Sequence, residues 1–387
     1  MAESTETTRP RLSRLRRVVW ELRTEGAGTV REAAAIGLGV FIGCSPLYGF
    51  HLALCLVIGW CLGLNRLKMY LAANISNPFM APLLIFTELQ TGAWLRRDQL
   101  HALTLEAVKS VDPWSFGADL ILGSLVIGGL LGLLTGTATY LVTRAGNDDP
   151  WFAMLARRAA DRYVSTSITA WEFARGKLLG DPLYRTILTE CGLPSGGTLV
   201  DVGCGQGLML ALLAECEAAW REGTWTSSWP APVVFDRLVG VETRPRAAEI
   251  ARLALGGAAA IVQGDARRFV PTGSRVMLFF DVLHMMPLAD QEQLLAFSAQ
   301  VLAPGGTILV REPDAAAGWR FFTVRAGNAA KAALTGNLRQ TFHFRTAKDW
   351  TACFTRLGFD VDMRDAGEGT PFANMLFVLT GQARESA

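Results

Sequence analysis

The segment from Val200 to Gly207, with the sequence VDVGCGQG, most constrains how this chain can fold. It predicts an apolar strand that ends near Asp201, then a glycine-rich turn, then a helix that begins at Leu208. Glycines at 203, 205 and 207 permit positive φ angles and a close approach of backbone to a ligand, and a helix N-terminus presents unpaired N–H groups. The motif therefore predicts a nucleoside-binding turn. Its Gly-x-Gly-x-Gly spacing differs from the Gly-x-Gly-x-x-Gly of dinucleotide-binding folds.

Further apolar runs alternate with helical patterns after this turn, which predicts a parallel α/β sheet. The second run ends at Glu242, the third leads into Asp265, and the fourth ends at Asp281. Ligands of open α/β sheets bind at the carboxyl ends of the strands, so these three acids and Asp201 are predicted to line one pocket. Four acids at corresponding strand ends indicate a ligand site more specifically than any single acid does.

The distance from the first glycine to the second acid is unusual. Glu242 follows Gly203 by 39 residues, against roughly 20 in a dinucleotide-binding unit. An insertion over residues 218–230, which carries three tryptophans, explains the excess. We expect these tryptophans to form a local packing cluster, although contact with lipid headgroups or a substrate stays open.

The N-terminal third of the chain has a different composition. Three apolar segments cover residues 33–64, 69–86 and 120–142, and the third contains no charge and many small residues. Each of the first and third exceeds the roughly 20 residues that cross a bilayer. Pro46 interrupts the first, which predicts a re-entrant or hairpin element, and a full hairpin with a non-crossing middle segment is the alternative. Arginines at positions 9, 11, 14, 16 and 17 suggest a cytoplasmic N-terminus. The segment that carries them is either a helix on the membrane surface or a solvated tail.

Charge, cysteine and histidine usage exclude several kinds of function. The formal net charge of +2 gives no reason to expect a nucleic-acid partner. The seven cysteines are scattered without a Cys-x-x-Cys pair, and the four histidines show no metal-ligand spacing. We therefore expect reduced thiols and no metal site.

Residues of the apolar region resemble a known family. The stretch from Gly39 to His51, together with Asn65-Arg66 and Asn77-Pro78, is similar to a small bacterial inner-membrane domain of unknown function over residues 30–145. The resemblance implies membrane residence and no assigned activity. We expect the Pro46 loop and the Asn77-Pro78 pair to act as helix-breaking packing elements.

The C-terminal half resembles class I S-adenosylmethionine-dependent methyltransferases over residues 183–387. The matching pieces are VDVGCGQG, the strand into Glu242, VQGDA, FFDVLHMMP and LAPGGTILV, and the runs 359–363 and 374–380 fit a reversed final hairpin. The resemblance implies a Rossmann-like, seven-stranded sheet whose last strand is antiparallel. It also implies cofactor-binding roles for Asp201, Gly203, Cys204, Gly205, Gly207, Glu242, Asp265, Ala266 and Asp281.

Carried over to this chain, each of these positions has an expected task. Asp201 and the three glycines would hold the methionine part of the cofactor, Glu242 the ribose, and Asp265 with Ala266 the adenine. Asp281 would lie near the methionine amino group and the reacting centre. A general base is needed only if the acceptor must lose a proton, and His284 is the candidate.

Further polar residues follow the fifth strand and the helix after it. Arg311, Glu312 and Asp314 are expected either to line an acceptor pocket or to be surface charges. His343 and Phe344 are weaker acceptor-site candidates, and Cys204 is assigned no nucleophilic role.

The sequence thus predicts a basic cytoplasmic segment (1–31), a helical transmembrane domain (32–143), a linker with an amphipathic helix (144–182) and a methyltransferase domain (183–387). The predicted function is methyl transfer from S-adenosylmethionine to an unidentified small-molecule or lipid-like acceptor. The protein is expected in the cell inner membrane as a multi-pass protein with a cytoplasmic catalytic domain, and its oligomeric state is left open. A non-catalytic module that senses the cofactor and a nicotinamide-dependent oxidoreductase are the alternatives.

Overall fold

The computed structural model describes residues 28–100, 112–145, 149–334, 340–367 and 369–381. The predicted basic segment lies, apart from its last four residues, outside the described residues. The chain divides into two compact units, Met1–Asp148 and Asp149–Ala387.

The first unit is helical. The apolar run 33–64 forms two helices, of 16 and 12 residues, separated by the turn that contains Pro46. Neither reaches the roughly 20 residues that a membrane span needs, and the break that was expected at Pro46 is present. The helices are α1 (Thr29–Cys44), α2 (His51–Leu62), α3 (Arg66–Ala73, followed by a 3-10 turn Asn74–Ser76), α4 (Ala81–Arg97) and α5 (Pro113–Ala145).

Among the described residues, one helix is long and apolar enough to cross a bilayer, Pro113–Leu141 within α5. A second candidate is the bent pair Arg66–Ser76 and Ala81–Arg97, whose two parts meet at 78°. The bend occurs at Asn77, whose Oδ1 accepts the N–H groups of Phe79 and Met80 at 3.0 and 3.2 Å. The expectation that Asn77-Pro78 breaks a helix is therefore confirmed.

Small residues bring the helices of this unit into backbone contact. A Cβ at Gly123 of α5 would lie 1.7 Å from the carbonyl oxygen of Glu88 in α4, and one at Gly92 would lie 1.7 Å from that of Asp119. A Cβ at Gly132 would lie 2.7 Å from the carbonyl oxygen of Gly37 in α1. Such crossings are typical of helices that associate without a strong hydrophobic driving force.

Two buried acids of this unit have opposite surroundings. Asp119 is completely buried and accepts hydrogen bonds from the guanidinium groups of Arg96, at 2.7 Å, and of Arg97. Glu88 is also completely buried, yet neither of its carboxyl oxygens has a hydrogen-bond partner among the described residues. An unsatisfied buried carboxyl destabilises the fold, so Glu88 is a costly residue at this position.

The second unit is an α/β domain with a seven-stranded sheet in the order β3-β2-β1-β4-β5-β7-β6. Strands β1 to β5 are parallel, and β7 runs antiparallel to β5 and β6. The strands are β1 (Thr198–Val202), β2 (Arg237–Glu242), β3 (Ala260–Gln263), β4 (Ser274–Phe280), β5 (Leu302–Pro313), β6 (Phe359–Asp365) and β7 (Asn374–Gly381).

Helices accompany this sheet along the chain. Where one amphipathic helix was expected over 151–178, the structure has two, and both belong to the α/β unit. The helices are α6 (Pro150–Asp161), α7 (Ile168–Gly180), α8 (Leu183–Thr189), α9 (Leu208–Arg221), α10 (Pro245–Leu255), α11 (Ala266–Phe269), α12 (Leu288–Val301), α13 (Trp319–Leu334) and α14 (Ala347–Arg356).

The predicted fold class, a helical region followed by a Rossmann-like α/β domain with a seven-stranded sheet, is confirmed. The core consists of aliphatic and aromatic side chains of the central strands, such as Val200, Val239 and Phe279, with helical residues that include Trp350. The strand order reverses between β1 and β4, and this is the point where α/β sheets open a crevice for ligands.

The tryptophan-rich insertion packs against α6. The rings of Trp225 and Trp151 lie 5.9 Å apart edge to face, and Trp229 stacks on Phe152 at 6.2 Å. The expected packing cluster is thus confirmed for Trp225 and Trp229. Residues 218–221 belong to α9, so the inserted loop is shorter than predicted.

Candidate functional site

The glycine turn is fixed to the end of β2 and leaves its middle glycine open. The N–H groups of Gly203 and Cys204 donate to the carbonyl of Val241 at 2.8 and 3.2 Å. Gly203, Gly205 and Gly207 all have positive φ, between 58° and 78°. A Cβ at Gly203 or Gly207 would clash with packed side chains, whereas the nearest atom to a Cβ at Gly205 would lie 3.6 Å away. Gly205 therefore presents bare backbone to a cavity.

Asp201 is a buried carboxylate without a partner. It is 4% exposed, and no hydrogen bond or ion pair reaches it from the residues that the structure describes. Burial, with a smaller contribution from Glu242, raises its pKa to about 7. Such a group is costly unless a cation neutralises it, so it fits a positively charged ligand group.

Glu242 lies at the end of β2 and is covered by Arg244. Its Oε2 accepts the N–H of Gly205 at 2.8 Å, and its Oε1 accepts the N–H of Arg244 at 2.9 Å. The Arg244 guanidinium also donates to both oxygens at 3.1 Å. Burial opposes ionisation of Glu242, but these hydrogen bonds lower its pKa. Ribose hydroxyls would have to displace the exposed Arg244 side chain to reach this carboxylate.

Asp265 begins α11 and is likewise paired. It accepts the N–H of Arg267 at 3.0 Å and its guanidinium at 2.6 Å, and this lowers its pKa. The neighbouring Ala266 is 8% exposed and lines the same cavity as Asp265. The surface position of Asp265 allows its carboxylate to turn towards an adenine amino group.

Asp281, directly after β4, is held in an unusual conformation by a buried arginine. Its φ is +57°. Non-glycine residues seldom adopt such left-handed values, and those that do are frequent at functional sites. Arg311, which is 1% exposed, donates from Nε to Asp281 at 3.0 Å and from Nη1 to Asp181 at 2.6 Å. Although burial opposes it, Arg311 and Lys177 lower the pKa of Asp181 to about 2. Asp281 is therefore ion-paired to the protein.

His284 and Glu312 form a buried dyad. Glu312 Oε2 lies 2.6 Å from Nδ1 of His284, and Oε1 accepts the N–H groups of Val282 and Leu283 at 3.1 and 2.7 Å. The imidazole stacks on Phe344 at 5.0 Å. Burial alone would lower the pKa of His284, but the Glu312 carboxylate raises it above its ordinary value. Because the Glu312 carboxylate accepts a hydrogen bond, Nδ1 of His284 carries a hydrogen, and Nε2 is left for other partners.

Two adjoining cavities organise these groups. The first, of about 620 Å³, is lined by all four predicted acids and by the glycine turn. The second, of about 480 Å³, is lined by His284 and by α13, and it shares Lys177, Arg244 and Asp281 with the first. The geometry therefore provides a nucleoside-sized cavity beside a second compartment, with Asp281 facing both.

The structure also corrects and extends the candidate set. Glu312 is buried beneath the loop after β4, and half-buried Asp314 accepts the N–H of Ala347 at 3.0 Å. Neither lines the two cavities, whereas Arg311 lines the first. His343 does not line either cavity. Sequence reasoning missed Phe173, Lys177 and Tyr184, which line the first cavity from helices that precede the glycine turn.

Comparison with known proteins agrees with this architecture. A family model described as a methyltransferase domain matches residues 171–363. The C-terminal part of the chain is a class I methyltransferase domain. A second model, described as an uncharacterized protein conserved in bacteria (DUF2062), matches residues 12–151. No curated protein matches the chain.

Solved structures are similar at low identity. The pyocyanin biosynthetic protein PhzM is 17% identical, with 95% of this chain and 98% of that chain covered and a TM-score of 0.42. A possible histamine N-methyltransferase from Thermotoga maritima is 16% identical over 63% of this chain and 99% of that chain, with a TM-score of 0.34. A methyltransferase from Methanosarcina mazei is 15% identical over 50% and 95%, with a TM-score of 0.36.

S-adenosylmethionine is the expected cofactor of this domain, and the residues present fit it. The unpartnered Asp201 carboxylate suits an ammonium group, and the open side of Gly205 admits a ligand against the backbone. Glu242 and Asp265 offer carboxylate acceptors to hydroxyl and amino groups.

Proposed function

We propose that the chain is a membrane-anchored methyltransferase that transfers a methyl group from S-adenosylmethionine to a lipid-like acceptor delivered by the membrane. The observation that carries the proposal is the pair of adjoining cavities at the carboxyl ends of the strands. One holds an uncompensated carboxylate at Asp201, and the other holds the imidazole of His284.

The first cavity would bind and orient the cofactor. Asp201 would hold its ammonium group, and Gly203, Gly205, Gly207 and Cys204 would contact it through their backbone. Glu242 would accept hydrogen bonds from the ribose hydroxyls in place of Arg244, and Asp265 with Ala266 would hold the adenine. When bound, S-adenosylmethionine supplies an electrophilic methyl group on a sulfonium. Alignment of donor and acceptor by such contacts can supply roughly 7–11 kcal/mol of the barrier.

The second cavity prepares the acceptor. For a hydroxyl acceptor, Nε2 of His284 would take the hydroxyl proton, and Glu312 would stabilise the resulting imidazolium through Nδ1. Asn328 lines the same cavity, and its side chain donates to the carbonyl of Val324 at 3.1 Å. Arg311 holds Asp281 at the boundary of the two cavities, where Asp281 positions the reacting groups.

Membrane anchoring rests on the first unit. The α5 span and the bent pair of helices would give two crossings, and an even number leaves the catalytic domain on the same side as the N-terminus. The arginine-rich N-terminus favours the cytoplasmic side, where S-adenosylmethionine is made. Carbonate extraction of membranes tests this: the chain should stay in the pellet, and release into the supernatant would refute anchoring.

The activity is tested by transfer of labelled methyl groups from S-adenosylmethionine into fractionated cell extracts by the full chain. We expect label in the lipid-soluble fraction and none with Gly205→Val. Label confined to water-soluble acceptors would refute the lipid-like acceptor. Tight cofactor binding without label in any fraction would instead favour a cofactor-sensing module.

A further inference from the structure

We propose that Glu88 is an exchangeable proton-binding site of the helical unit. Its proton reaches solvent by way of Tyr48 and His51, through the turn between α1 and α2 that contains Pro46 (the Pro46 turn, residues 45–50). The ligand is a single proton, which adds to a carboxyl oxygen and needs no other reactant. The inference concerns the helical unit alone and does not depend on methyl transfer.

Glu88 is a buried acid without a counterion. It is 0% exposed, and both of its carboxyl oxygens lack a hydrogen-bond partner among the described residues. Asp119 of the same unit is equally buried, but it is ion-paired with Arg96 and Arg97. An ionised carboxylate at the position of Glu88 is strongly disfavoured, because neither water nor a cation stabilises it there. Glu88 is therefore neutral, with a proton on one of its oxygens.

The backbone of Glu88 and the side chain of Cys44 lie against the same stretch of α5. A Cβ at Gly123 would lie 1.7 Å from the carbonyl oxygen of Glu88, and a Cβ at Gly128 would lie 2.9 Å from the Cβ of Cys44. The two glycines are five residues apart, which is about 7.5 Å along a helix axis. Cys44 is the last residue of α1. Glu88 therefore lies close to the point where α1 ends and the Pro46 turn begins.

Two helix breaks meet beside this position. α1 ends just before the Pro46 turn, and α3 with its 3-10 turn ends just before Asn77-Pro78. A Cβ at Gly43 would lie 2.3 Å from the carbonyl oxygen of Ala73, so these two helix ends cross in backbone contact. Broken helices around a buried ionisable side chain are typical of the sites where membrane proteins bind or relay protons and ions.

Titratable side chains connect Glu88 with the surface of the Pro46 turn. Glu88 acts electrostatically on the thiol of Cys44 and on the hydroxyl of Tyr48. Tyr48 is 45% exposed, and its ring centroid lies 5.8 Å from that of His51. His51 donates from Nε2 to the carbonyl of Ser45 at 3.0 Å, so its Nδ1 is the nitrogen that accepts a proton. Tyr48 and His51 thus offer a path for a proton between solvent and Glu88.

The charged groups on the surrounding helices do not replace the proton. On α5, Asp119 is balanced by the two arginines at the end of α4. Glu32 of α1 pairs with Lys68 of α3 at 3.2 Å. Neither cation lies within ion-pair distance of Glu88, so Cys44 and Tyr48 are the titratable groups that face it.

Carbodiimide labelling of the full chain in detergent tests the site. Dicyclohexylcarbodiimide is apolar and reacts with protonated carboxyl groups, so peptide mass spectrometry should find its adduct on Glu88. We expect roughly tenfold more adduct on Glu88 than on Asp119, the matched buried acid that its arginines keep ionised. The adduct on Glu88 should decrease as pH rises, because the neutral form reacts. Because the unmodified protein is labelled, the result does not depend on how a variant folds.

Infrared spectroscopy after a pH jump tests the path. The carbonyl band of a neutral carboxyl should be absent in Glu88→Gln and present in Asp119→Asn. Its response to the jump should be several-fold slower in His51→Gln than in the unmodified chain. Phe50→Leu is the matched control, since Phe50 is 65% exposed in the same turn and cannot titrate, and it should keep the original rate.

Each contrary outcome removes a defined part of the inference. No adduct on Glu88, or equal labelling of Glu88 and Asp119, would overturn the proton site. Protection of Glu88 by sodium ions at constant pH would also overturn it, since the ligand would then be a metal ion. Equal rates in His51→Gln and Phe50→Leu would refute the path through the Pro46 turn.

Discussion

Replacement of Asp201 by asparagine should stabilise the methyltransferase domain and at the same time destroy its cofactor site. The Asp201 carboxyl has a pKa of about 7 in the folded protein, against an ordinary value of 3.8. The unfolded chain therefore releases this proton at lower pH than the folded one. The resulting penalty is absent below pH 3.8, grows as pH rises, and is complete above pH 7.

The size of the effect follows from that difference. About three pKa units correspond to about 4 kcal/mol at pH 8. The buried asparagine amide in turn costs about 2 kcal/mol where it lacks a partner. We expect Asp201→Asn to gain about 2 kcal/mol at pH 8, a rise in Tm of roughly 4–8 °C. At pH 5, where most of the penalty is absent, the gain should vanish.

Differential scanning calorimetry of the full chain in detergent measures this, through the transition that S-adenosylmethionine shifts upward in the unmodified protein. Titration calorimetry should show cofactor affinity reduced by roughly 100-fold or more, since a buried charge pair is lost. Glu249→Gln, an exposed acid on α10, is the matched control and should change neither quantity. Lower stability at both pH values, or unchanged cofactor affinity, would refute the reasoning.

Further predictions concern the turn, the dyad and the helical unit. Gly205→Val should abolish cofactor binding in calorimetry, because the added side chain would occupy the cavity. The circular dichroism spectrum should be kept, since the left-handed backbone conformation costs roughly 1–2 kcal/mol of strain. His284→Asn should lower kcat by roughly 10²–10⁴ with cofactor Kd unchanged; equal loss of binding would assign it a structural role. Because Glu312 raises the pKa of His284 and the base must be neutral, kcat should rise with pH through a midpoint above 6.5, and Glu312→Gln should move that midpoint down. Glu88→Gln should raise the unfolding temperature of the helical unit, because it removes an unsatisfied buried carboxyl. A lower unfolding temperature would show that Glu88 has a partner.

The local sequence pattern was sufficient to predict the core of the α/β domain. The alternation of strands and helices and the glycine spacing predicted β1, the turn and the start of α9 at Leu208. The convergence of Asp201, Glu242, Asp265 and Asp281 on one cavity followed from the rule that parallel strands present their carboxyl ends at one edge. Their roles towards the cofactor stay predictions.

The arginines that pair with three of these acids were not predicted. Arg244 and Arg267 lie two residues after their partners, but whether such a side chain folds back depends on the space above the strand end. Arg311 reaches Asp281 from the neighbouring strand, and this pairing depends on the register of β4 against β5. Side-chain pairing across elements leaves no periodic signal in the sequence.

The acceptor cavity could not be predicted from the local sequence pattern for a related reason. Its walls come from α13, from residues around Phe342 and from Phe372, which are distant in sequence and meet only when β7 inserts beside β5. The break in the apolar run 33–64, in contrast, was predicted from Pro46, and the backbone turns there between α1 and α2.

The most direct test of the account is an experimental structure of the full chain bound to S-adenosylmethionine. We predict the ammonium group on Asp201, the ribose on Glu242 with Arg244 displaced, and the methyl group directed towards the cavity of His284. A cofactor bound away from the carboxyl ends of β1 and β2, or Asp201 without contact to it, would contradict the account.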